Sequence, residues 1–245
     1  EFATESDLKN VRTLITYIKN MMLSEEDILK LDEKEDIKIS IIYKEYCRQL
    51  REHHLMDYDD QMVYAYTMLR KFPQLLEHFQ NLYPYICVDE AQDTSKIQHA
   101  IIALLASKTE NLFMVGDEDQ SIYGFRAAYP EALLSFEKNH ANARVLLMED
   151  NFRSNASIVE AADQFIQKNT LRHEKHMRAT KERMEEIKEI SLKSRKAQYS
   201  YLMKVADDCT TQTAVLYRDN ECILPLVDLL ERNNIPYQMR NAELT

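Results

Sequence analysis

The sequence predicts an α/β protein led by a helical unit, and three observations predict it. Apolar residues recur at three- and four-residue steps through the first 80 positions, the spacing of one helix face. From Pro84 onward, short runs of strand formers alternate with helical stretches, the pattern of a parallel sheet wrapped by helices. Glycine occurs only at Gly116 and Gly124 in 245 residues, far below the usual share of about 7%, so the chain is expected to be rich in helix.

Leu8, Val11, Ile15, Ile18 and Met22 define a first helix over 8–23, and Ile39, Ile42, Tyr43, Tyr46 and Leu50 another. Between them, Ser24 with Asp27 three residues later reads as a helix start, because a side-chain oxygen there accepts from an amide that the first turn leaves unbonded. Asp59 or Asp60 is expected to cap a further helix reaching about Arg70. Strands are then expected at Tyr85–Val88, Leu112–Val115, Arg144–Met148 and Thr213–Tyr217, with Ile235–Met239 able to begin another. Helices are expected around Ile97–Leu105, 130–138, 155–168, from Lys196 to about Asp208, and across Leu226, Leu229 and Leu230.

Composition narrows the function classes. Lys and Arg number 31 against 41 Asp and Glu, a formal charge of −10, which argues against a protein that coats nucleic acid over its whole surface. Any such contact is local. The cysteines Cys47, Cys87, Cys209 and Cys222 are widely spaced and form no CxxC pair, so neither a structural zinc site nor a disulfide framework is suggested. No apolar run approaches the roughly 20 residues of a membrane span, and the first residues carry no basic-then-apolar leader. The expectation is a cytoplasmic protein with no membrane partner; lacking an initial Met and stopping abruptly at Thr245, the chain reads as an excised segment.

Three clusters carry chemistry. The strand ending at Val88 runs into Asp89-Glu-Ala-Gln-Asp93, and ligands of open parallel sheets bind at the carboxyl ends of strands. Such a pair suits Mg²⁺ binding by the Asp and work on an attacking water by the Glu; the same acids could equally cap the helix starting near Thr94 or Ser95. After the next strand, Gly116-Asp-Glu-Asp-Gln-Ser-Ile-Tyr-Gly-Phe-Arg126 holds both glycines, a polar Gln and aromatic and Arg side chains of the kind on which bases stack, although Tyr123 and Phe125 could simply pack inward. Asn151-Phe-Arg-Ser-Asn155 places an Arg before a helix start, where guanidinium and backbone donors suit a phosphate. His53-His54 and His173/His176 read more readily as exposed polar positions than as metal ligands.

Taken together and in order, these clusters resemble motifs II, III and IV of the UvrD/PcrA/Rep branch of superfamily-one DNA helicases: Asp89 to Thr94, Gly116 to Ala128, and Asn151 to Ser154. Met56-Asp-Tyr-Asp-Asp60 is similar to an acidic-aromatic motif of that family, and Ala214-Val-Leu-Tyr-Arg218 to a strand of its second motor domain. The resemblance covers most of the chain. It implies a helical accessory subdomain at 1–82, the C-terminal part of one RecA-like P-loop motor domain at 83–150 and the N-terminal part of a second at 151–245.

The resemblance further implies an ATP- and Mg²⁺-dependent enzyme of DNA repair or replication that moves 3′ to 5′ on single-stranded and partly duplex DNA. Asp89 would bind Mg²⁺, Glu90 act on the attacking water, and Gln120 and Arg153 sense the γ-phosphate, with Gln92 and Phe152 also at the nucleotide and Phe152 against the adenine. Tyr123, Phe125 and Arg126 would touch single-stranded DNA; Phe125 stands where the family usually has Trp.

A P-loop enzyme needs GxxxxGK[ST], and with glycines only at 116 and 124 no such match exists here. The 245 residues alone are therefore expected to bind nucleotide weakly or not at all and to show no ATPase activity. A non-enzymatic remnant that binds DNA or protein is the alternative, and a metal-dependent nuclease using Asp57, Asp59, Asp60, Asp89 and Glu90 a third reading. Residues 168–196 hold ten Lys and Arg against five Asp and Glu, either a solvated face or a DNA-contacting one.

Overall fold

The computed structural model describes residues 4–239 apart from 123, 125 and 126. The chain divides into two compact units at Met184/Glu185.

The first unit opens with five helices, α1 Glu5–Asn20, α2 Glu25–Glu35, α3 Ile39–Glu52, α4 Tyr58–Lys71 and α5 Pro73–Leu82. Their starts follow local chemistry. Thr4 and Asp7 form a reciprocal capping box on α1, Ser24 accepts from the Asp27 amide on α2, and Pro73 supplies the first residue of α5, a position where its missing N–H costs nothing. Leu14, Ile15 and Ile18 of α1 pack with Ile28, Leu31 and Ile39, the last fully buried; each such side chain contributes roughly 1.5–3 kcal/mol by leaving water. The α4 cap corrects the sequence reading: Asp57, not Asp59 or Asp60, is the N-cap, and Asp60 closes the box from the third position.

Helix ends show how a glycine-poor chain stops its helices. At α1 the Leu23 amide donates to the Ile18 carbonyl and Met22 to Lys19; at α3 Leu55 donates to Leu50 and His54 to Arg51. This paired pattern wants a left-handed residue, usually Gly, and here Met22 and His54 adopt it at φ 53° and 52°.

Beyond α5 come strand β1 Ile86–Val88, a 3-10 turn Ala91–Asp93, helix α6 Lys96–Ala106 and strand β2 Leu112–Met114. β1 and β2 pair in parallel with Val88 opposite Met114. A second 3-10 turn, Glu118–Gln120, precedes the short helices α7 Glu131–Leu134 and α8 Phe136–Asn139, where a single helix over 130–138 is expected from the sequence. Strand β3 Asp150–Asn155 leads into α9 Ala156–Ile166 and pairs in parallel with β4 Arg178–Lys181. The second unit holds α10 Arg195–Asp207 and α11 Asn220–Arg232, joined by a Tyr199 hydroxyl bond to the Cys222 carbonyl (2.8 Å) and by packing around Ile223 and Leu226.

The architecture is thus mixed helix and strand with small parallel sheets, and three expected strands are corrected. Arg144–Met148, Thr213–Tyr217 and Ile235–Met239 join no ladder among the described residues. A strand is stable only with a hydrogen-bonded neighbour, and without one Leu146, Met148 and Leu216 stand exposed. The third strand lies instead on Asp150–Asn155, a polar segment selected by its partner and not by β propensity. No helix among the described residues is long and apolar enough to cross a membrane.

Candidate nucleotide and nucleic-acid site

The parallel ladder continues past β1 and β2. Val115 donates to the Val88 carbonyl (2.8 Å) and Ala91 to the Val115 carbonyl (3.0 Å), so both acidic loops leave the sheet side by side at its carboxyl end. Asp89 is exposed and its Oδ1 accepts from the Glu90 amide (2.9 Å). Glu90 is held in the left-handed region at φ 49°, a strain of the kind that gathers at functional sites. These acids do not cap α6, which starts on Ser95, whose amide donates to Gln98 Oε1 (2.8 Å).

Gln92 joins the two loops. Its side chain is 1% exposed; Nε2 donates to Glu90 Oε2 (2.8 Å) and Oε1 accepts from the Asp117 amide (3.0 Å). Ser121 adds a hydroxyl bond to the Gln92 carbonyl (3.2 Å). This contact explains Gly116: a Cβ there would lie 2.8 Å from Leu133 Cδ1 and 2.9 Å from Gln92 Oε1. Among the described residues neither glycine has positive φ, so Gly116 serves close approach and not backbone freedom. Gln120 is exposed and donates to Asp117 Oδ2 (2.8 Å).

The acidic loop is then gripped from the segment before β4. Arg172 makes a two-pronged bond to Asp119 (Nε to Oδ1 2.9 Å, Nη2 to Oδ2 2.8 Å). Lys175 Nζ lies 2.6 Å from Asp117, 3.2 Å from Glu118 and 3.4 Å from Asp119. The His173 amide donates to Glu118 Oε1 (2.8 Å). Burial opposes ionisation of Asp117 and Glu118. Nevertheless, bonds from Lys175 and Gln120 hold Asp117 below the usual carboxylate range, and the backbone amides and Lys175 do the same for Glu118. Burial likewise works against a charged Lys175, and the three acids raise its pKa in spite of it.

Phe152 and Arg153 stand exposed on β3. Asn151 Oδ1 accepts from the Arg153 and Ser154 amides (3.0 and 2.9 Å), Lys181 donates to the Arg153 carbonyl (2.9 Å), and Asn155 caps α9. The structure therefore brings Asp89, Glu90, Gln92 and Gln120 into one bonded cluster, while Phe152 and Arg153 stand on the neighbouring ribbon. Tyr123, Phe125 and Arg126 lie outside the described residues. Arg172 and Lys175 were not singled out from the sequence; the signal available was an acidic triplet answered, more than fifty residues later, by two cations three residues apart inside a basic stretch.

For Mg²⁺ the donor set is spare: among the described residues no three His, Cys, Asp or Glu side chains gather to hold a metal. A single exposed carboxylate such as Asp89 fits that ion when nucleotide phosphates and water complete its shell. The carboxylates of the nuclease reading are otherwise engaged. Asp57 and Asp60 bind Lys19 (2.6 and 2.7 Å), and Asp59 accepts from Thr16 and Asn20 (2.8 and 2.7 Å).

Fold and site define a mixed α/β protein whose acids and glutamines gather where parallel strands end. Residues 3–141 match the UvrD/REP helicase N-terminal domain, and residues 146–243 the UvrD-like helicase C-terminal domain. The chain is 33% identical over 232 residues to the ATP-dependent DNA helicase PcrA of Staphylococcus epidermidis strain RP62A, and 32% identical over 232 residues to PcrA of Staphylococcus aureus strain Mu50. Each alignment covers 92% of this chain and 32% of the relative, so the chain spans about a third of the length of these proteins. It belongs to the UvrD/REP helicase family.

Proposed function

We propose that this chain is the nucleotide-responsive middle of an ATP-dependent DNA helicase motor. In this reading 83–150 and 151–245 are parts of two RecA-like domains and 1–82 an accessory helical subdomain; family matches that meet between residues 141 and 146 support the boundary near 150. Asp89 would hold Mg²⁺, Glu90 orient or deprotonate the attacking water, and Gln120 and Arg153 report the γ-phosphate, with Phe152 against the base. Gln92 lies beneath them, its amide tying Glu90 to the loop of Gln120. Bound ATP and Mg²⁺ would supply the scissile phosphoanhydride and its charge neutralisation. Tyr123, Phe125 and Arg126 would meet single-stranded DNA, with 3′-to-5′ movement.

The observation that carries this reading is the Gln92 bridge, bonded to Glu90 on one side and to the Asp117 amide on the other. It makes the water-handling acid and the phosphate-sensing glutamine a single mechanical piece. In the gene product carrying this chain, Glu90→Gln is expected to cut DNA-stimulated ATP turnover about 10²–10⁴-fold, the usual worth of a positioned acid or base, with single-strand binding retained. Turnover within a factor of two of the unaltered protein overturns the assignment. No turnover in the unaltered protein favours the binding remnant. The 245 residues alone, lacking GxxxxGK[ST], should show none.

A further inference from the structure

Two cations in the basic stretch do not face outward. The Arg172 side chain is 5% exposed and that of Lys175 11%, and the carboxylates they meet, Glu118 and Asp119, are 6% and 10% exposed. A surface built to hold a phosphate backbone keeps its cations available; these are fully committed. Arg172 uses both prongs on Asp119, and its remaining donors reach Gln167 Oε1 (2.8 Å) and the Lys175 carbonyl (3.2 Å).

The network also has a direction. At one end, Asp117 takes Lys175 on Oδ1, Gln120 on Oδ2 and, through its amide, Gln92. At the other, the segment carrying Arg172 and Lys175 runs three residues on into β4, whose Arg178 and Lys181 bond Asp150 and the Arg153 carbonyl of β3. The 117–119 loop is thereby fastened between the strand-end acids and the ribbon that presents Phe152 and Arg153.

We infer that Arg172 and Lys175 are positioning residues of the nucleotide site, a latch that sets Gln120 through the Asp117–Asp119 loop and joins that loop to the Phe152–Arg153 ribbon. The inference rests on the motor reading above for its catalytic consequence and on geometry alone for the latch itself. Neither residue touches nucleotide or DNA in this assignment. A displaced Gln120 leaves binding intact and slows the step it serves, since small misplacements of a catalytic group cost up to about 10²-fold.

The test uses the gene product carrying this chain and two changes. Arg172→Lys keeps the charge and loses the second prong. The pair Arg172→Gln with Asp119→Asn removes both charges together, so no orphaned buried ion unfolds the loop. Amide hydrogen exchange at Asp119, Gln120 and His173 reads the latch without any need for turnover, and DNA-stimulated ATPase kinetics with single-strand affinity read its consequence. For the neutral pair the expected result is exchange faster by tenfold or more, kcat down by about tenfold or more, and KM for ATP and DNA affinity within about threefold; Arg172→Lys falls between. Unchanged exchange overturns the latch. Faster exchange with unchanged kcat overturns its positioning role, and DNA affinity weakened tenfold at unchanged kcat reassigns the pair to DNA contact. Absence of turnover in the unaltered protein defeats the motor reading and with it the catalytic consequence, while exchange still decides the latch.

Discussion

Two lysines of this chain, each paired with several acids, stand in different surroundings. Lys19 lies on α1, 4% exposed, between Asp57 and Asp60, with Tyr46 donating to the same Asp57 oxygen (2.8 Å) and its ring 5.2 Å from the ammonium. Its partners are Asp60 and Tyr46 on helices and Asp57 at the N-cap of α4, and the bonds fasten the start of α4 to the end of α1. Lys175 has three acids instead of two, but they occupy a loop and a single 3-10 turn. The same ion-pair chemistry fastens packed helices in one place and a loop in the other, and a loop that loses its cation can turn its carboxylates into water more readily than a helix can.

The largest expected effect breaks the first network. Lys19→Met leaves buried Asp60 and half-buried Asp57 facing each other without their cation and should destabilise the protein by about 3–5 kcal/mol, the cost of removing one partner of a buried pair. Lys175→Met should cost no more than about half of that by denaturant unfolding, because its loop can resolvate. Equal losses would erase the distinction between the two regions.

Acid sharpens the comparison next. Burial raises Asp57, Asp117 and Glu118, and hydrogen bonds and the lysines outweigh it, so all three titrate below their ordinary values of 3.8, 3.8 and 4.5. Their stabilisation is therefore present above those values and lost as pH falls through the depressed ones. Lys19 and Lys175, raised above 10.5, contribute below that pH and lose the contribution as it climbs through the raised values. Urea midpoints should stay level, as far as these groups go, from about pH 4.5 to 10 and fall steeply in stronger acid. In Lys19→Met the acid limb should be shallower, since Asp57 has lost its cation. Identical acid limbs would show that the ion pairs contribute nothing to it.

The smallest effect lies away from both networks. His54→Gly places the usual residue at a left-handed helix end and should raise stability by up to about 1 kcal/mol, seen as a higher thermal midpoint. A fall would mean that the imidazole makes a contact worth more than the strain.

Local signals were legible in proportion to how local their physics is. The Ser24 helix start, the α6 and α9 helices, the strand end at Val88 and, to within one residue, the end of the strand from Leu112 all follow from spacing and short-range hydrogen bonds. The sequence offers Asp59 or Asp60 as the cap in place of Asp57, two or three residues away, because three acids in four positions have the same side-chain chemistry and their tertiary partners, Lys19 for Asp57 and Asp60 and Thr16 and Asn20 for Asp59, lie 38 to 43 residues back along the chain. Propensity alone named Arg144–Met148 a strand, yet strand identity belongs to pairs of segments, and the pairing fell on polar Asp150–Asn155.

What the sequence determined by itself was the mixed α/β character, the helical lead, the acids at two strand ends and, through their order, the helicase family. Those are properties of residues near one another along the chain. Only the tertiary structure decided that Gly116 is small because Gln92 lies against it, that Gln92 looks inward to bridge two loops, and that Arg172 and Lys175 spend their charge on Asp117, Glu118 and Asp119 and not on solvent. Burial and partner choice across 25 to 58 residues of chain are set by how the whole chain packs. A charge counted in the sequence therefore carries no record of where its opposite will be found.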